Sequence, residues 1–156
     1  MSAPAAVRSG APEQTRAIAE RLGALLRAGD VLLLSGELGA GKTTFVQGLA
    51  RGLGFEGAVS SKSFVLLGEY QGRVKLYHAD LYRLDGPEQV QDLALDEISM
   101  DGVLVVEWPE RARRVLPREH LWIEFKVAGE TERELCFEAR GARAEELAGA
   151  LAEVRS

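Results

Sequence analysis

Val31-Leu32-Leu33-Leu34-Ser35, followed at once by Gly36-Glu37-Leu38-Gly39-Ala40-Gly41-Lys42-Thr43-Thr44, decides the fold of this chain. A short, largely apolar run of this length reads as a buried strand. It runs straight into the pattern G-x-x-x-x-G-K-[ST], and Thr43 to Arg51 reads as the helix that must follow such a loop. Gly36, Gly39 and Gly41 let the backbone curl until successive N–H groups face one phosphate. The loop then delivers that phosphate to a helix N-terminus, where unpaired N–H groups and the macrodipole favour negative charge. Glu37, Leu38, Gly39, Ala40, Gly41, Lys42, Thr43 and Thr44 are therefore candidate nucleotide-binding residues. Lys42 is expected to reach the β/γ-phosphates, and the Thr43 hydroxyl to sit on Mg²⁺. The stretch implies a site for a nucleoside triphosphate.

Working outward, Glu13 to Arg27 carries Ile18, Leu22, Leu25 and Leu26 on one helical face. Residues 64–70 and 73–82 flank Gln71-Gly72 and read as a β-hairpin. Gly86-Pro87 opens a helix expected to run to about Ile98, with Val90, Leu93 and Leu95 as its apolar contacts. Val103-Leu104-Val105-Val106 is a buried strand ending at Glu107. Strands are expected near 121–127 and 133–139, then an amphipathic helix from Ala142 carrying Leu147, Leu151 and Val154. This pattern predicts an α/β fold: a three-layer P-loop NTPase-like architecture with a mixed parallel and antiparallel sheet. Residues 1–12 are expected to be a flexible tail rather than a signal peptide, and 13–156 a single P-loop ATPase domain.

The bulk properties narrow the function. The 156-residue chain has a net charge of −5, which argues against a broadly basic nucleic-acid surface but leaves room for a local patch. Arg111, Arg113, Arg114 and Arg118 read either as such a solvated basic segment or as part of a lid. The single cysteine, Cys136, cannot form an internal disulfide; it is expected to be a small buried hydrophobe in a reducing cytoplasm. No apolar stretch approaches the roughly 20 residues of a membrane helix.

A P-loop needs an acid to hold the Mg²⁺ water shell, commonly at the tip of a neighbouring strand. Glu107 meets that requirement. Asp80, inside Tyr77-His78-Ala79-Asp80-Leu81-Tyr82-Arg83, is a second acid in a β-like run that disfavours aspartate. It is placed either to accept from water at the site or to pair with Arg83. His78 is read as a packed or hydrogen-bonded histidine, with no catalytic assignment. Lys42, Asp80 and Glu107 are thus the catalytic candidates, with Thr43 and Glu107 as metal ligands. The chain contains no asparagine, so it lacks the Asn-Lys-x-Asp guanine reader of conventional GTPases.

Three segments in order carry a family resemblance: Gly36 to Phe45, then Tyr77-His-x-Asp80-x-Tyr82-Arg83-Leu84, then Val106-Glu107-Trp108-Pro109-Glu110. Together they resemble TsaE (YjeE), the bacterial ATPase required to make threonylcarbamoyladenosine in tRNA. The resemblance runs from about Thr15 to Gly141. It implies a cytoplasmic Mg²⁺- and ATP-dependent protein that joins a TsaB–TsaD pair and meets tRNA only through that complex. It also implies that Trp108 is the aromatic neighbour of the nucleotide, that Thr15 lies near the base, and that Arg133 is a basic residue beside the nucleotide. Packing or surface charge accounts equally well for Thr15 and Arg133. Where the family has Ser-Pro-Thr-Phe/Tyr, this chain has Ser61-Lys62-Ser63-Phe64, and losing the proline frees that backbone. Two other readings stand beside this one: a small P-loop kinase acting on a metabolite, and an assembly switch in which ATP hydrolysis is incidental.

Overall fold

The computed structural model describes residues 5–37, 39–57, 67–82 and 95–153. Leu38, Ser61 to Phe64, Arg83, Leu84, Val90, Leu93 and Val154 lie outside the described residues, as does most of the helix expected after Pro87.

Four parallel strands form the centre of the sheet. The strand before the phosphate loop, β2 (Val31–Gly36), lies between β5 (Gly102–Glu107) and β6 (His120–Val127), and β4 (Lys75–Asp80) lies on the far side of β5. Antiparallel strands close both flanks: β3 (Leu67–Tyr70) beside β4, and β7 (Arg133–Arg140) then β1 (Ala5–Ser9) beyond β6. The order is β1-β7-β6-β2-β5-β4-β3. The sheet is therefore mixed, as the sequence predicts.

Side chains alternate across a strand, and this divides the core in two. Leu32, Leu34, Val103, Val105, Leu121, Ile123 and Phe125 face three helices: α1 (Pro12–Leu25), α2 (Lys42–Gly52) and α4 (Ala142–Glu153). On the opposite face, Leu33, Tyr77, Ala79, Leu104 and Val106 meet Leu81, Ala112, Leu116 and Leu95 of the single-turn α3 (Leu95–Ile98). Among the described residues this outer layer is thin, built from α3 and the 3₁₀ turns at Pro109–Arg111 and Arg113–Val115.

The contact between α1 and α2 is close because it is made by glycines. A Cβ on Gly48 would collide with the Arg16 carbonyl and lie 2.6 Å from the Ala19 Cβ; Gly23 and Gly52 are similarly hemmed in by facing backbone. The C-terminus of α1 has no basic residue in its last turn. Arg73, from the hairpin, supplies that charge by donating to the carbonyls of Gly23, Ala24 and Leu26.

Two expectations need correction. Residues 5–9, expected in a loose tail, form β1 and pair with β7 in the register Val7↔Leu135. Val7 and Ser9 are buried; the Ala-, Pro- and Gly-rich composition hides a short alternating strand. Cys136, expected in the core, is only half-buried. It alternates with the buried Leu135 and Phe137 and so lies on the sheet face away from the helices.

Candidate nucleotide-binding site

The loop leaves β2 at Gly36, whose φ of 145° belongs to glycine. A Cβ there would stand 2.8 Å from the Phe125 carbonyl oxygen. Gly41, at φ 107°, makes the last bend before α2. The first turn of α2 carries no acidic residue, so its N-terminal field is undiminished. Thr43 and Thr44 are half-buried in that turn.

Arg133, at the start of β7, braces the loop from the side. Its Nε donates to the Ala40 carbonyl at 3.2 Å and its Nη2 to the Gly39 carbonyl at 3.3 Å. Its Nη1 donates to the Glu132 and Gly129 carbonyls at 2.9 and 3.1 Å. The guanidinium thus ties the phosphate loop to the β6–β7 turn. Thr15 is 2% exposed, its hydroxyl 2.6 Å from Ser9 Oγ, and it joins α1 to β1.

The register of the parallel strands builds the acidic corner. Asp80 lies directly opposite Glu107, which lies opposite Leu34 at the tip of β2. Both carboxylates therefore share the helix-covered face, at the sheet edge where the phosphate loop begins. Glu107 is 3% exposed, and His78 Nε2 donates to its Oε2 at 2.6 Å. The Tyr82 N–H donates to Asp80 Oδ1 at 3.0 Å. Burial raises the Asp80 pKa above the ordinary range; the Tyr82 bond works against this, and the charge of Glu107 adds to it.

Lys42 is 4% exposed. Its Nζ donates to the Gly36 carbonyl at 2.6 Å and lies 3.5 Å from the centre of the Trp108 ring. Burial lowers its pKa, while Glu107, Glu110 and Asp80 pull it back up. Trp108 is the only non-glycine residue with positive φ among those described, at 59°. Its N–H donates to the Leu34 carbonyl at 3.2 Å, and Tyr82 packs on it with ring centres 4.9 Å apart. The structure thus gathers Lys42, Asp80, Glu107 and Trp108 at one sheet edge, with Thr43 next to Lys42. Glu37 is exposed on the loop.

One contact escapes sequence reasoning. His78 carries no catalytic assignment there, yet it holds Glu107 directly. The available signal is its position two residues before Asp80, which puts both side chains on the same face.

The family model described as "Threonylcarbamoyl adenosine biosynthesis protein TsaE" matches residues 9–135. The chain belongs to the TsaE family. A tRNA threonylcarbamoyladenosine biosynthesis protein TsaE from Bacillus subtilis (strain 168) is 47% identical over 138 residues, covering 87% of this chain and 86% of the relative. The protein of the same name from Treponema pallidum (strain Nichols) is 44% identical over 115 residues, covering 73% and 85%. The crystal structure of YdiB from Bacillus subtilis superposes with a TM-score of 0.80 at 42% identity, covering 97% of this chain and 96% of that one. The TsaE resemblance is therefore correct, and so is the α/β class with its mixed sheet.

Proposed function

We propose that this TsaE-family chain is a Mg²⁺-dependent ATPase that supports tRNA threonylcarbamoyladenosine synthesis as the partner of a TsaB–TsaD pair, converting ATP to ADP and phosphate. The observation that carries this reading is the register that sets Asp80 beside Glu107, with the buried P-loop Lys42 within electrostatic reach of both. The family's place in threonylcarbamoyladenosine biosynthesis supports the pathway. The cytoplasm is the proposed compartment. Among the described residues no helix is long and apolar enough to cross a membrane.

The donor set fits Mg²⁺, a hard cation that takes oxygen ligands and is commonly held by one or two carboxylates together with substrate phosphates. The Thr43 hydroxyl and the Glu107 carboxylate are the residues that would hold it. Among the described residues no cluster of three or more His, Cys, Asp or Glu side chains forms a separate metal cage. When bound, Mg²⁺ supplies charge neutralisation on the phosphate oxygens.

The chain's own groups do the rest. Backbone N–H groups of Gly39 and of Gly41 to Thr44 receive the phosphates while the Ala40 N–H donates to the Glu37 carbonyl within the loop, and Lys42 exchanges the Gly36 carbonyl for a phosphate oxygen. Asp80, fixed through Oδ1 by the Tyr82 N–H, accepts a hydrogen bond from the attacking water at its other oxygen. Water oxygen then bonds to the γ-phosphorus as the bond to the β–γ bridging oxygen breaks, and ADP leaves. Arg133 is committed to backbone carbonyls, so it does not act as an arginine finger. Such a group is worth about 10³–10⁵ in rate, and hydrolysis by the isolated chain should be correspondingly slow.

The test is ATP hydrolysis by the purified chain, alone and with its cognate TsaB–TsaD pair. A slow basal rate that rises sharply with the pair is expected. Tight Mg-ATP binding with no response to the pair would redirect the assignment to phosphate transfer onto a small-molecule acceptor.

A further inference from the structure

β4 is apolar at Leu76, Ala79 and the following Leu81, yet places a histidine in the layer between sheet and helices. His78 is 6% exposed, and the one hydrogen bond its imidazole makes among the described residues is to Glu107 Oε2. The contact is diagonal. In the parallel register His78 faces Val105, while Glu107 faces Asp80. The bond therefore spans two residues along the sheet, joining the imidazole to a carboxylate at the end where the phosphate loop begins. Because the partner is a carboxylate, Nε2 carries the hydrogen and donates it.

A glutamate side chain has three rotatable bonds, and one at a strand tip can swing its carboxylate widely. Neighbouring groups limit that freedom here. Lys42 lies within electrostatic reach of Glu107 and attracts it, while the charge of Asp80 opposes it. Among the described residues, only His78 grips a defined carboxylate oxygen, at 2.6 Å. With Oε2 engaged by His78, Oε1 is the oxygen that a cation would meet.

We infer that His78 is a positioning residue: its Nε2–H pins one oxygen of the buried Glu107 so that the other meets the divalent cation of a bound nucleotide. The inference rests on the assignment of Glu107 as a Mg²⁺ ligand. Partners that orient a metal-binding carboxylate typically contribute about 10–100-fold to metal affinity.

The experiment measures ATP affinity for the full chain with a saturating range of Mg²⁺ and again in EDTA, alongside thermal unfolding. His78→Gln keeps an amide N–H close to the Nε2 position, whereas His78→Leu removes the donor. His78→Asn moves the donor to the Nδ1 position and replaces the leucine variant if that one fails to fold. The expected result is a rise of about 10-fold or more in the Mg²⁺ needed for half-maximal ATP binding for Leu or Asn, with near wild-type behaviour for Gln. Affinity in EDTA should be unchanged in all three. Wild-type Mg²⁺ dependence in the Leu and Asn variants would overturn the inference. So would equal losses with and without Mg²⁺, which mark packing alone, or a Gln variant as impaired as Leu. A wild-type protein that binds ATP identically in Mg²⁺ and in EDTA would instead overturn the metal assignment of Glu107, and this inference with it.

Discussion

Lys42 is held before any ligand arrives: a carbonyl on one side, an indole face on the other, and three carboxylates within electrostatic reach. Under the proposed function a nucleotide phosphate must compete with these contacts, which it would do by offering a full charge in a buried site. Replacing Lys42 with alanine should weaken ATP binding about 100-fold or more, roughly 3 kcal/mol, by equilibrium titration. Unchanged affinity would mean the loop is not the phosphate site. Asp80 has the opposite problem. Its pKa is raised on folding by burial, so folding stabilises the protonated form relative to the charged one. That preference stabilises the fold fully below the unfolded value, about pH 4, and is lost as pH rises through the folded value. Asp80→Asn keeps an oxygen for the Tyr82 N–H and carries no charge. It should melt higher than wild type at pH 7, converge with it near pH 4, and lose hydrolysis by about 10²–10⁴-fold. A variant that melts lower at pH 7 would show that the Asp80 charge stabilises the fold.

The helices depend on how closely they approach. α1 and α2 meet through Gly23, Gly48 and Gly52, with backbone on the opposing side at each. Gly48→Ala adds one methyl group where the Arg16 carbonyl already stands, and α2 carries Lys42 and Thr43 in its first turn. Overpacking of this kind costs about 1–3 kcal/mol, or a fall of several degrees in Tm for a chain this size. Calorimetry of the variant should show that fall despite the better helix propensity of alanine, and a rise in Tm would mean the helices can move apart. Most elements are legible in the sequence because their patterns are strong. Leu32, Leu34 and the alternating Leu33 mark β2, Val103 to Val106 mark β5, and the apolar face of Ile18 and Leu22 marks α1. β1 is not legible, since Val7 is its one sizeable apolar residue and the stretch lies between Pro4 and Gly10, so it carries almost no alternation signal. The site divides in the same way. The phosphate loop is written as a motif, and Glu107 as an acid at a strand tip. The Arg133 brace is hidden because its acceptors are backbone carbonyls, which have no residue signature. The His78–Glu107 bond is hidden because it depends on the register between two strands 29 residues apart in their paired side chains.

At the scale of the whole molecule, the parallel centre brings the working groups to one edge, and the antiparallel flanks finish the sheet. The β6–β7 side does more than close the fold, since Arg133 at the start of β7 holds the phosphate loop through Gly39 and Ala40. β1 lies alongside that same end of β7, with Ser9 opposite Arg133. A chain shortened to begin at Pro12 would therefore lose its Ser9–Thr15 bond and uncover β7 from Arg133 to Phe137. An uncovered edge offers its free N–H and C=O groups to any other strand that comes near. Two shortened molecules could pair there, β7 against β7. Gel filtration at rising concentration should show the shortened chain moving toward a dimer while the full chain stays at one elution volume, so β1 serves as a chaperone for its neighbour's edge.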